Sequence, residues 1–295
     1  MKAAAARART RFDNILFATD FSPAATRAIP FVTQVARHFQ SNLVALHVKP
    51  PVVNPMAQPA TWQAEIDATK TVDKEHRDRL LDTFAGIKTE VLIEEGDIQS
   101  CLESAIERYD ADLAIIGTRG RTGVAKALLG SVAEGIFRTV SCPVLTVGPH
   151  CDAAKAEIHE ILFATDFASE APAAAAYAVS LAQEFQARLT LLHVVPEPKP
   201  GDLVCWFDVQ ESSKQLLQKL VPAEATAWCK PEYFVERGEP AERILDLAEL
   251  RGVDLIVLGA QPEKGIPGAA THLPTTTAHK VVTRANCPVL TVRNK

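Results

Sequence analysis

Asp112-Leu113-Ala114-Ile115-Ile116-Gly117-Thr118-Arg119-Gly120-Arg121-Thr122-Gly123 is the stretch that decides how this chain folds. The apolar run up to Ile116 reads as a buried strand, and the segment continues through Val124 to Leu129 until Gly130-Ser131, where a helix can begin. A strand that runs through a glycine-rich turn into a helix is one step of an α/β chain. Gly117, Gly120 and Gly123 are expected to take positive φ and approach a ligand closely, while Arg119, Arg121 and Lys126 favour an anion. The free N–H groups and dipole of a helix starting at Ser131 add to that preference. The same residues also suit a plainer reading, in which the glycines form a turn and Ser131-Val132-Ala133-Glu134 closes a capping box. Spacing alone does not choose between the two, because neither G-x-x-x-x-G-K-[ST] nor G-x-G-x-x-G occurs.

Outward from this stretch the chain repeats itself. Asn14-Ile-Leu-Phe-Ala-Thr-Asp20-Phe returns as Glu160-Ile-Leu-Phe-Ala-Thr-Asp166-Phe, and Leu43-Val-Ala-Leu-His47-Val returns as Leu189-Thr-Leu-Leu-His193-Val, both at an offset of 146. Ala111-Asp112-Leu-Ala-Ile-Ile-Gly117 matches Val253-Asp254-Leu-Ile-Val-Leu-Gly259 at 142, and Cys142-Pro-Val-Leu-Thr-Val matches Cys287-Pro-Val-Leu-Thr-Val at 145. A period this long means a duplicated domain rather than a solenoid. The expected division is an N-terminal arm (1–11) without order, domains at 12–149 and 158–295, and a linker at 150–157.

Each half reads as strand (14–19; 161–165), helix (23–39; 170–186), strand (43–48; 189–194), charged helix (62–84; 208–220), strand (90–94; 232–236) and an amphipathic helix, before the fourth strand, the loop, a last helix and the Cys-Pro-Val-Leu-Thr-Val strand. Strands apolar on both faces and alternating with helices predict two tandem open parallel sheets, Rossmann-like, with helices on both faces. Right-handed crossovers favour the order 3-2-1-4-5. In that order Asp20 and Gly117, at the carboxyl ends of strands 1 and 4, face one crevice.

Composition limits the function. At 295 residues, 47% hydrophobic and 23% charged, with a formal net charge of −5, the chain lacks the broad basic surface of a general nucleic-acid binder. Neither a signal-peptide core nor a membrane-length apolar run is present, so cytoplasm is the expected compartment. The six cysteines form no C-x-x-C pair or zinc spacing; Cys142 and Cys287 read as small core residues. No metal-ligand set is expected. His47 and His193, at the ends of apolar strands, read as partly buried structural histidines rather than catalysts, and Trp62, Trp206 and Trp228 as covers for apolar surface.

The Ala-Thr-Asp20-Phe-Ser start, the Leu-His47-Val strand and the Gly117-x2-Gly120-x9-Gly130-Ser131 run before Cys-Pro-Val-Leu together resemble the universal stress protein family, as a tandem of two domains spanning nearly the whole chain. The resemblance implies ATP bound between strands 1 and 4. Ala18 and Asp20 would lie against adenosine, and the Val48 backbone against adenine. Gly117, Thr118, Arg119, Gly120, Arg121, Thr122 and Gly123 would wrap ribose and phosphates, with Gly130, Ser131, Val132 and Ala133 at the phosphate end. Mg²⁺ would travel with the phosphates.

The second half departs from this pattern. Gly259 is followed by Ala-Gln-Pro262-Glu263, so proline stands where the second glycine belongs, and Thr275-Thr276 replace Gly130-Ser131. Pro262 lacks an N–H and has a fixed φ. The resulting expectation is an ATP-dependent stress-response or signalling module with nucleotide in domain 1 only. The alternatives are a slow ATPase or phosphoryl or nucleotidyl transferase, and a nucleotide-free scaffold. The loop supplies Thr118, Thr122 and Ser131 hydroxyls but no base except the capping Glu134, so no catalytic residue is assigned. The last strands, 143–147 and 288–292, are sheet edges and invite pairing of the two halves with each other, with homodimers of the whole chain left open.

Overall fold

Strands buried on both faces need a backbone partner on each side and an apolar layer above and below, and the chain meets both needs twice. The computed structural model describes residues 10–49, 59–118, 140, 142–198, 205–260 and 276–293. The N-terminal half runs β1 (Asn14–Ala18), α1 (Pro23–Phe39), β2 (Asn42–Lys49), α2 (Pro59–Thr83), β3 (Thr89–Glu95), α3 (Ile98–Arg108), β4 (Leu113–Gly117) and β5 (Val144–Val147). The C-terminal half runs β6 (Glu160–Ala164), α4 (Ala171–Phe185), β7 (Arg188–Val195), α5 (Trp206–Leu220), a 3₁₀ turn (Ala223–Ala227), β8 (Glu232–Arg237), α6 (Pro240–Arg251), β9 (Leu255–Gly259), α7 (Thr277–Arg284) and β10 (Val289–Val292).

All ten strands form one sheet, ordered β3-β2-β1-β4-β5-β10-β9-β6-β7-β8. Each half is parallel and follows 3-2-1-4-5, with β1 against β4 and β6 against β9. β5 and β10 pair antiparallel with Leu145 opposite Leu290, and these are equivalent residues of the repeat. A pairing centred on equivalent residues is the signature of a two-fold contact, here between two halves of one chain.

One layer packs Phe17, Ile115, Phe163 and Val257 under α1, α2, α4 and α5. The other packs Leu16, Ile116, Leu162 and Leu258 against α3, α6 and α7. The first layer runs across the joint: Phe12 stacks on Tyr177 at 6.2 Å, and Phe39 meets Phe185 edge-on at 5.9 Å. Thr10 donates its backbone N–H to Ser180 Oγ (2.8 Å) and Arg11 pairs with Asp13. These two residues, assigned by the sequence to the arm, are therefore in contact with the folded body, and 1–9 lie outside the described residues.

Local chemistry sets the helix ends. Ser22 Oγ accepts from the Ala25 N–H, with Pro23 in the first turn. Asp97 caps α3, Glu239 caps α6, and Thr276, one of the two threonines in the altered loop, caps α7 through the His279 N–H. Pro30 sits inside α1, where it costs one backbone hydrogen bond. The buried thiols Cys142 and Cys287 lie in the core, and burial pushes the Cys287 and Cys151 thiols well above their ordinary range, leaving them inert.

The repeat also contains a device not recognised from its sequence. Asp112 accepts backbone N–H groups of Asp13 (2.8 Å) and Asn14 (3.3 Å), and Asp254 does the same for His159 (2.8 Å) and Glu160 (3.0 Å), so each ties the entrance of its first strand to its fourth. Replacing Asp112 with Ala strands these donors and is expected to cost about 2 kcal/mol of unfolding free energy by urea denaturation.

Candidate functional site

The site is built where β1 and β4 end side by side. β1 leads through Thr19 and Asp20 to Phe21, whose φ of 57° places a bulky residue in the left-handed region. Two short bonds hold it there: Thr19 Oγ1 accepts from the Phe21 N–H (3.1 Å), and Asp20 Oδ1 accepts from the Ser22 N–H (2.9 Å). His47 Nδ1 lies 2.8 Å from the Thr19 carbonyl oxygen, so this histidine braces the turn. Backbone strain of roughly 1–3 kcal/mol at a strand end is common where a fold positions ligand-contacting groups.

The C-terminal half repeats the device. Phe167 has φ 60°, its N–H donates to Thr165 Oγ1 (2.9 Å), Asp166 Oδ1 accepts from the Ala168 N–H (3.0 Å), and His193 Nδ1 lies 2.8 Å from the Thr165 carbonyl oxygen. The repeated Thr-Asp-Phe was visible in the sequence. Its left-handed third residue was not, because propensity places a non-glycine aromatic there only rarely.

The described site residues fall into two groups. Ala18, Asp20 and Val48 are gathered at the carboxyl ends of β1 and β2, with Ala18 and Val48 half-buried and Asp20 exposed. Gly117 closes β4 beside them but corrects the sequence expectation, since its φ is not left-handed. Glycine is required there because a Cβ would run into the Ala24 carbonyl and come within 2.9 Å of the Ala25 nitrogen, so the first turn of α1 lies directly on the strand end. Thr118 continues alongside β5, buried, with its N–H (2.9 Å) and hydroxyl (3.4 Å) both donated to the Val147 carbonyl. Arg119, Gly120, Arg121, Thr122, Gly123, Gly130, Ser131, Val132 and Ala133 lie outside the described residues.

Around the N-terminal turn is a cluster that sequence reading missed. Phe21 stacks on His76 of α2 at 4.2 Å and meets His47 edge-on at 4.8 Å, with the Arg79 guanidinium 5.6 Å from its ring centre. Lys49 binds both oxygens of Asp73 (2.7 and 2.8 Å), tying α2 to β2. The signal was a helical i, i+3, i+6 spacing of Asp73, His76 and Arg79, which reads as a solvated face until the tertiary structure turns it onto Phe21 and Lys49. Burial, then the nearby His47, holds the His76 imidazole below its ordinary pKa, with Arg79 acting in the same direction and Asp73 and Glu75 opposing. At the C-terminal crevice the described walls enclose a cavity of about 410 Å³. It is lined by the counterparts of the first site, Ala164, Asp166, Val194 and Gly259, together with Glu170 and His193. Among the described residues no group of three or more His, Cys, Asp or Glu side chains is arranged to hold a metal ion.

Two measurements test this geometry. Gly117→Ala is expected to cost more than about 2 kcal/mol in urea unfolding, because the backbone of α1 has no room to give. A lowered folded-state pKa at His76 means that the unfolded chain binds the proton first, so stability should fall as pH drops through and below the ordinary imidazole range. His76→Phe should flatten that part of the profile.

A family model described as the universal stress protein family matches residues 11–148 and again 157–293. Universal stress protein YxiE of Bacillus subtilis is 31% identical over 151 residues, covering 46% of this chain and 99% of its own length. A universal stress protein of Mycobacterium bovis aligns along both halves, 24% identical over 311 residues, covering 95% of this chain and 94% of that one. The crystal structure of a universal stress protein from Archaeoglobus fulgidus superposes over 97% of this chain and 100% of its own, with a TM-score of 0.72 at 21% identity, which marks a shared fold. With the family model matching both halves and a relative aligned along nearly the whole chain, the protein belongs to the universal stress protein family, as a tandem of two such domains.

Proposed function

We propose that this protein is a nucleotide-dependent stress-response or signalling module that binds ATP, with Mg²⁺ on the phosphates, in its N-terminal crevice only. The observation that carries the reading is Gly117. The structure sets it at the carboxyl end of β4, beside the Asp20 turn at the switch in strand order, and from it departs a complete Gly-x2-Gly-x9-Gly-Ser run. The described residues fit an adenosine: half-buried Ala18 and Val48 supply apolar floor, and Asp20 supplies an exposed carboxylate able to accept from ribose hydroxyls. Arg119, Arg121 and Lys126 supply the positive charge that phosphates require, and the N–H groups of the glycine-rich run are the natural donors to their oxygens.

The division into domains at 12–149 and 158–295, joined at 150–157, belongs to the same reading. The two halves act as an intramolecular pair, and the β5–β10 register centred on Leu145 and Leu290 supports it. ATP acts as a signal in this scheme, through contacts that differ between bound and free states. The only base in the loop sequence is the capping Glu134, which favours binding over turnover.

Calorimetric titration with ATP and Mg²⁺ should give one equivalent per chain. Gly120→Pro should abolish binding and Ser131→Ala weaken it by about tenfold, the worth of a hydrogen bond to a charged group. Two equivalents per chain, or none at millimolar ATP, would overturn the reading. Turnover faster than about 1 s⁻¹ would favour an enzyme instead.

A further inference from the structure

We infer that the C-terminal crevice is a second binding site, built for an uncharged ligand rich in hydroxyl or amino donors, of the nucleoside class, and closed to phosphorylated ones by Glu170. The cavity at the carboxyl ends of β6 and β9 is about 410 Å³, within the range of small-molecule sites. Its walls are apolar, from Ala164, Val194, Ile244 and Leu258. Its charge comes from two carboxylates, Asp166 and Glu170, and the described lining contains neither lysine nor arginine.

Glu170 is the informative residue. It is 5% exposed; its Oε1 accepts from the Ser169 hydroxyl (2.8 Å), and its Oε2 is buried with no hydrogen-bond partner among the described residues. A buried carboxylate oxygen without a donor is a costly arrangement that a ligand donor would relieve. The position is an innovation of this half: at the repeat offset of 146 the N-terminal counterpart of Glu170 is Ala24. There the α1 backbone presses on Gly117, whereas here the Glu170 Cβ stands 3.1 Å from where a Cβ on Gly259 would be. The carboxylate therefore sits beside Gly259 at the end of β9, where an anion entering the cavity would meet negative charge. A ribose or an amine meets acceptors instead.

The test is hydrogen–deuterium exchange on the full chain, read at amides 164–171, with adenosine and AMP as probes. Adenosine should slow exchange in that segment and AMP at the same concentration should not. Glu170→Ala should weaken the adenosine effect at least about tenfold, in line with loss of a charged hydrogen bond. Glu170→Gln keeps the shape and an acceptor while removing the charge, so it should let AMP protect the segment, and it carries the test if the alanine variant does not fold. No protection by adenosine in the wild-type chain, or equal protection by AMP, would overturn the inference. Binding of ATP at the N-terminal crevice is read separately, at amides 18–25, so the two readings can fail independently.

Discussion

The central strands of each half are buried on both faces, and that constraint governs everything around them. Leu113 to Ile116 and Leu255 to Leu258 have no solvent-facing side, so their backbone groups must be bonded to strands on both flanks and their side chains covered by helices above and below. Helices that cover a parallel sheet must return the chain over the top, and the return changes direction between β1 and β4. The gap left where the winding reverses is the crevice. The site is thus a consequence of how a parallel sheet is covered, and the residues at its rim are free to vary.

How they vary distinguishes the two halves. The turn after the first strand is the same in both: a threonine and an aspartate hold an aromatic residue in the left-handed region, and a histidine braces the carbonyl behind it. Around that shared frame the N-terminal half has gathered His76 and Arg79 from α2 and a Lys49–Asp73 pair that ties β2 to α2, while the C-terminal half has placed a buried glutamate at the start of α4. Ion pairs there join α6 to α7, Lys280 to Glu239 and Arg284 to Glu242. Duplication supplied one turn twice, and different side chains surround it in each half: an aromatic and basic cluster from α2 in the first, a buried glutamate at the start of α4 in the second.

The halves meet through short edge strands and an aromatic seam rather than through either crevice. β5 and β10 satisfy each other's backbone groups across a four-residue ladder, and Phe12, Phe39, Tyr177 and Phe185 extend one apolar layer over the joint.

Sequence by itself determined the class of fold, the duplication and the strand order, because hydrophobic periodicity and repeated motifs are local properties that the chain carries before it folds. It also put Asp20 and Gly117 at the carboxyl ends of neighbouring strands, since strand ends follow from strand order. It misjudged why Gly117 is glycine, and it had no means of finding the His47–Phe21–His76 cluster, the aspartates that tie strand entrances, or the Glu170 oxygen buried without a partner among the described residues. Those depend on which side chains from distant segments share a few ångströms of space. Only the tertiary structure decides that, because close approach, burial and an unmet hydrogen bond are relations between residues and not properties of any one of them.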